Sequence, residues 1–321
     1  MLERDESTIL LTGATGVLGW LLARRFAEAG HEMYLLVRKG SRKRLRERVS
    51  AYRQTHPSAA DRMRLFTGDL LDPALADDES RGRILARCTG FVHCAAERRP
   101  DKTQQQVFDV NVGGTRTLLT LAQECERDIQ RFLHVSDLRV SGDHRGVYFE
   151  SMLLTNQGFG DDHALESRLL AERWVRRAQK TLPVTVLRPA HPVGIETDPS
   201  RIPDALKDAL SGRPSLRARL AASPRLHVVL ADHVADVAIA SYADEASAGQ
   251  TLHLADPSAP TVAEVFAALG RGVPRTGLAG LPGPWASYDT TATDGLLRRV
   301  GLTRPSRTEV VDAVRGALGG G

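Results

Sequence analysis

Cysteine, lysine and aromatic residues are all scarce in this chain of 321 residues. Three cysteines (Cys88, Cys94, Cys125) are too few for a disulfide framework and fit a reducing compartment. No Cys/His/Asp cluster has metal-ligand spacing, so no metal is expected. No apolar run is long enough to span a bilayer, and Met1 to Ser7 is polar and acidic, unlike a signal peptide. A cytoplasmic protein with no membrane partner is the expectation. Aromatics make up only 5% of the residues, and none interleaves the densest basic run, Arg38 to Arg48. That lack argues against base stacking, and no nucleic-acid partner is expected despite a net charge of +4. No Gly-x-Ser-x-Gly elbow appears, which sets aside a hydrolase triad.

What is present is an alternation of short apolar runs and helical spacings. Thr8 to Leu11, Glu32 to Val37, Met63 to Thr67, Gly90 to Ala95, Arg131 to Ser136 and Val184 to Arg188 read as strands. Val17 to Ala29, closing at Gly30, reads as a helix, as do Val112 to Cys125 and Ala164 to Gln179. Continuously apolar strands alternating with helices predict an α/β fold: a Rossmann-type, doubly wound parallel sheet. Beyond Pro189 the pattern loosens. Stretches 226–230 and 251–254 read as late strands returning to the sheet, and 261–269 and 309–318 as small helices. The expected division is a nucleotide-binding domain over 1–190 plus about 226–256. A smaller C-terminal substrate lobe would take 191–225 and 257–321.

Thr12-Gly13-Ala14-Thr15-Gly16-Val17-Leu18-Gly19 follows a strand and opens a helix. In such a turn Gly13 makes the tight bend, Gly16 admits a pyrophosphate and Gly19 lets helix and strand pack closely. The helix N-terminus then favours the phosphate charge. Thr15, Val17 and Leu18 belong to the same turn. An acidic residue at the end of the second strand would select NAD through the ribose diol; here stand Arg38 and Lys39. A guanidinium pairs with a 2′-phosphate, so NADP is favoured over NAD. Asp69 is placed for the adenine amino group or for capping its own turn, with Leu70 beside it as a further cofactor-binding residue.

These stretches, with GDLLDP (68–73), FVHCAA (91–96), NVGGT (111–115), FLHVS (132–136), LLAERWVRRA (169–178), VTVLRP (184–189) and VVLADHVADVAIA (228–240), resemble the extended short-chain dehydrogenases. Within that superfamily the chain is similar to thioester reductase-like and fatty acyl-CoA reductase-like proteins. The resemblance implies that Cys94, Ala95 and Ala96 line the adenine ribose and that Arg48 assists Arg38. It also implies that Asn111 sits behind the site and that Pro189, His191 and the loop to Gly194 border the nicotinamide. Relatives often pair the helices over 112–125 and 164–179 across a two-fold axis, so a homodimer is expected.

The same resemblance exposes a gap. Redox members use a Ser or Thr after the fifth strand and Tyr-x-x-x-Lys on the next helix, because an alkoxide left by hydride must be protonated. Here the tyrosine position is Ala164, the lysine position Arg168, and the Ser/Thr position Asp137, with Ser136 just before it. None of the five tyrosines has a lysine four residues on. Arg168 can still bind ribose hydroxyls but does not yield a proton. An ionised Asp137 would oppose a developing alkoxide unless burial keeps it protonated. His163 is a candidate acid–base and His191 a weaker one; Tyr148 and Glu150 lie in a loop expected near the pocket.

Three readings follow. One is an NADP(H)-dependent oxidoreductase acting on a small carbonyl or thioester-linked substrate. Another is a non-redox lyase, cyclase or isomerase using Asp137 or His163. The last is a nucleotide-binding regulatory protein.

Overall fold

The computed structural model describes residues 7–99, 101–194, 227–256 and 286–319. Seven parallel strands make the central sheet: β1 (Thr8–Thr12), β2 (Glu32–Val37), β3 (Met63–Thr67), β4 (Gly90–His93), β5 (Arg131–Val135), β7 (Val184–Pro189) and β10 (Thr251–Leu254). Their spatial order is β3-β2-β1-β4-β5-β7-β10. The winding reverses at β1, which pairs with β2 on one side and β4 on the other. In such sheets the crevice outside the carboxyl ends at that reversal takes the ligand.

Both faces of the sheet are covered, which is why its inner strands are buried and largely apolar. Ile9, Leu11, Leu35, Leu133 and Leu187 share one core with α1 (Val17–Glu28) and α8 (Ala231–Ala243). Leu10, Phe91, Phe132, Val184 and Val186 share the other with α4 (Asp78–Arg87), α6 (Gly114–Gln123) and α7 (His163–Ala178). Phe91 and Phe132 stack at 5.7 Å on adjacent strands with no exposed surface, each burial contributing about 2–3 kcal/mol.

Several elements go beyond or differ from the sequence reading. The basic run, to which no element was assigned, forms α2 (Arg42–Arg53) after a 3-10 turn over Lys39–Ser41, followed by the single turn α3 (Pro57–Asp61). Leu45, Val49 and Tyr52, at helical spacing, are buried on α2 while most of the arginines face outward. The helix expected from residue 112 begins as α5 (Gln104–Phe108), passes through a π turn at Asp109–Gly113, and continues as α6. The pair Gly113-Gly114 permits that slip, and Leu70 packs where a side chain on Gly114 would stand.

Stretch 226–230 was expected to return to the main sheet. Only β10 does. The strand β9 (Val228–Leu230) instead pairs in parallel with β8 (His191–Val193), and β6 (Gly146–Tyr148) pairs with β11 (Ala286–Tyr288). A three-residue apolar run carries no register information that distinguishes one sheet from another. The remaining described helices are α9 (Thr291–Val300) and α10 (Arg307–Gly319), the latter packed near β8 and β9. Most of the segments expected to build the small lobe, including the helix over 261–269, lie outside the described residues.

Candidate active site

The glycine turn joins β1 to α1 at the sheet reversal. Gly13 has φ +88°, and a Cβ there would lie 2.7 Å from the Ala95 nitrogen and 2.8 Å from the Cys94 carbonyl carbon. Only glycine lets the two strand ends meet that closely. Gly19 packs against the Gly13 carbonyl in the same way. Gly16 is the N-cap in an extended conformation, the helix has no side-chain cap and no acidic residue in its first turn, and Thr15 to Leu18 are half-exposed. An uncapped helix start of this kind presents N–H groups and positive potential to an anion. The donor set therefore fits the pyrophosphate of a pyridine dinucleotide.

Around that turn the structure places most of the expected cofactor residues. Cys94 and Ala95 are tied to Thr12 through the Cys94 N–H to the Thr12 carbonyl (3.3 Å) and the Ala95 N–H to its hydroxyl (3.4 Å). Ala96 follows in the same half-exposed stretch. Arg38 and Lys39 are exposed at the end of β2. Asp69 is exposed beyond β3, and its Oδ1 accepts the Leu71 N–H at 3.0 Å, the turn-capping role weighed for it. The Arg48 guanidinium lies 5.0 Å over the Trp20 ring, between α2 and α1. Arg42, which sequence reasoning passed over, reaches the end of β3, donating to the Thr67 hydroxyl at 2.6 Å. Pro189 is buried in β7, and His191 starts β8 with its N–H on the His227 carbonyl.

The catalytic side lies beyond β5. Asp137 caps the 3-10 turn over Leu138–Ser141 and is 8% exposed. Its Oδ1 accepts the Arg139 N–H and Nε, and its Oδ2 accepts Arg139 Nη2 at 2.9 Å and Arg168 Nη1 at 3.0 Å. Burial alone would raise its pKa, but the two guanidiniums hold it well below the usual carboxylate range. Asp137 is ionised, so the protonated form weighed from the sequence does not arise. The charge argument also changes sign: one carboxylate between two guanidiniums leaves the cluster net positive, favourable to a developing oxyanion. Arg139 is the residue the sequence reading missed; the Asp-x-Arg spacing after the strand was the signal.

Arg168 also donates to the Ser136 carbonyl at 3.2 Å, while its buried Nε has no partner among the described residues. Burial lowers its pKa and Asp137 raises it, with the net shift downward. Ser136 is turned away from the crevice, its hydroxyl donating to Glu172 at 2.7 Å. His163, the first residue of α7, is half-exposed with Nδ1 3.6 Å from Glu166. Ala164 offers only a methyl group, and its carbonyl accepts the Ser167 hydroxyl. Ser167 in turn accepts Asn111 Nδ2 at 2.8 Å, which locks the π turn to α7 behind the site. Tyr148 and Glu150, expected near the pocket, are buried. Glu150 accepts from the His253, Ala292 and Thr293 N–H groups and so fixes the start of α9. Among the described residues no helix is long and apolar enough to cross a membrane.

Comparison with known proteins agrees with this architecture. Fatty acyl-CoA reductase 1 of Pongo abelii is 30% identical over 145 residues, 41% of this chain and 28% of that protein. The chain thus spans little more than a quarter of that relative. The terminal R domain of the myxalamid PKS-NRPS biosynthetic pathway superposes with a TM-score of 0.80 at 24% identity, covering 99% of this chain and 91% of that one. A thiolation-reductase di-domain from an archaeal non-ribosomal peptide synthetase gives 0.78 at 18% identity, over 98% and 75%. These structural likenesses establish the fold. The NAD-binding family model described as Male sterility protein matches residues 11–237. With most of its length matched by that model, the chain belongs to the male sterility protein family of NAD-binding proteins, within the extended short-chain dehydrogenase superfamily.

Proposed function

We propose that this chain is an NADP(H)-dependent reductase acting on an acyl thioester. The observation that carries the reading is the pairing of an open glycine turn with a net cationic cluster at the carboxyl ends of β4 and β5. The bound nucleotide would supply hydride. Gly13 to Gly19 hold its pyrophosphate, Arg38 and Lys39 its 2′-phosphate, and Arg168 its nicotinamide-side ribose. At the carbonyl, Arg168 and Arg139 stabilise negative charge on oxygen in place of the tyrosine that Ala164 lacks. Neither arginine surrenders its proton: the oxyanion they hold collapses to the aldehyde as the C–S bond breaks, and water at the exposed Arg139 rim protonates the departing thiolate. The relatives' names, fatty acyl-CoA reductase and thiolation-reductase, support the thioester class. Residues 191–225 and 257–321 are the substrate lobe in this reading.

The non-redox reading loses one of its two candidate bases, because Asp137 is held by two guanidiniums, and is left with His163. The test is to supply S-acyl N-acetylcysteamine thioesters and follow NADPH loss against thiol release. Matched stoichiometry is expected; turnover without nucleotide, or none with any thioester, sinks the reading. If Ala164→Tyr with Arg168→Lys creates carbonyl reductase activity where the parent has none, the native chain does not use the tyrosine route.

A further inference from the structure

A row of buried hydrogen bonds runs from the glycine turn into the helices behind it, and the donors fix its direction. Thr12, His93 and Thr115 are all buried. His93 Nδ1 lies 2.7 Å from the Thr12 hydroxyl, and its Nε2 lies 2.9 Å from the Thr115 hydroxyl. Thr115 Oγ1 is in turn 2.6 Å from the Asn111 carbonyl, a contact of two oxygens that needs a proton between them. The carbonyl has none, so the Thr115 proton is spent there and its hydroxyl can only accept from His93. Nε2 therefore carries the ring proton. Burial disfavours a second one, and His134 and Arg168 act in the same direction. Nδ1 is then an acceptor, and the Thr12 hydroxyl donates to it. The opposite tautomer would set Nε2 against a hydroxyl with no proton left to give.

Both ends of this row reach the site. Thr12 immediately precedes Gly13, and its hydroxyl accepts the same Ala95 N–H against which the Gly13 backbone is packed. At the other end the Asn111 side chain accepts the Glu97 N–H at 2.7 Å and donates to Ser167 Oγ at 2.8 Å. Ser167 immediately precedes Arg168 on α7. We infer that His93 is a positioning residue: its Nε2–H imidazole joins Thr12 to Thr115 and so holds the glycine turn in register with the π turn and α7. The effect on binding rests on the dinucleotide reading of the turn; the ring's tautomer and partners do not need it. With the ring in place the turn is held before the nucleotide arrives, so less ordering remains for binding to supply.

Proton–nitrogen correlation NMR of the full chain with isotopically labelled histidine tests the assignment. His93 should show the Nε2–H tautomer at pH about 7 and keep it at pH about 5. An Nδ1–H tautomer or a protonated ring overturns the inference. Thr12→Val and Thr115→Val each remove one partner of the ring and should each weaken NADPH binding about tenfold. Thr12→Ser and Thr115→Ser keep the hydroxyl and should stay within about twofold of the parent. The double valine variant should lose less than the product of the two single losses, because both act through one ring. Losses that multiply, or serine variants as weak as the valine ones, overturn the inference. A parent that binds no NADPH while its ring shows the Nε2–H tautomer sinks the dinucleotide reading instead. The same double-variant comparison, read in urea unfolding, then decides whether the ring couples the two threonines.

Discussion

Glu172 accepts Arg188 Nη2 at 2.7 Å and Nε at 3.1 Å, and neither side chain has any exposed surface. This pair anchors a buried network. Arg176 Nε joins the same carboxylate at 3.0 Å, the Ser136 hydroxyl donates to it, and Arg188 reaches His253 and the Met152 carbonyl. Burial would raise the Glu172 pKa, but Arg188 and Arg176 bring it down to about 2. The network sits directly behind Ser136 and Asp137 and fixes where β5 ends. Glu172→Gln should therefore cost about 3–5 kcal/mol in urea unfolding, because it strands a buried guanidinium. Replacing both Glu172 and Arg188 with methionine should cost less than the single change. A double-variant loss equal to the sum of the losses of the two single variants would show that the pair is not coupled.

The glycine turn makes a sharper claim about nucleotide binding. Gly13→Ala places a Cβ against the backbone of Ala95 at a positive φ, so the β1 and β4 ends must move apart. NADPH affinity, read from the nucleotide's fluorescence, should fall at least about tenfold. Unchanged affinity would mean that the pyrophosphate does not use this turn.

Much of this was legible in the sequence, and the failures have physical causes. Six strands were readable because burial on both faces makes them largely apolar runs. The glycine turn was readable because its spacing is dictated by close backbone contact. Glu172 left a readable trace that went unused: it stands three residues after Leu169 and three before Val175 on the buried stripe of α7. A charge on that stripe implies a buried partner, but no periodicity says that the partner is Arg188 on β7. The same limit hid Arg139. Asp137 was weighed as an isolated carboxylate, whereas its ionisation is set by guanidiniums brought in by the turn and by α7. The pairing of β9 with β8 was hidden because it depends on long-range packing.

In the proposed reading the cofactor preference rests on the end of β2, where Arg38 and Lys39 are exposed. Arg38→Asp with Lys39→Ser should weaken NADPH binding by about tenfold or more and leave NADH within about threefold. Equal weakening of both nucleotides would place the 2′-phosphate elsewhere, and no change in either would remove the preference.

Acid should destabilise the fold before its carboxylates titrate. His134 lies in β5 with both ring nitrogens buried and without partners among the described residues, 5.4 Å from the ring of His93. Burial brings its pKa down to about 4; Glu172 acts to raise it and Arg168 to lower it further. His253 is brought to about 3 by burial, with Arg188 adding to the effect. For a histidine depressed in the folded state, the unfolded chain takes up the proton first. Stability is then complete above the unfolded pKa near 6.5 and is lost as pH falls from 6.5 toward 4. The loss is on the order of a few kcal/mol for each ring, ahead of the Glu97 and Glu172 contributions, which fade only below about 4.5. His134→Leu removes one titrating ring without stranding a partner. It should unfold at higher urea than the parent at pH about 5, with a smaller advantage at pH about 8. A urea midpoint that shifts by the same amount at both pH values would show that His134 is not the group that takes up the proton.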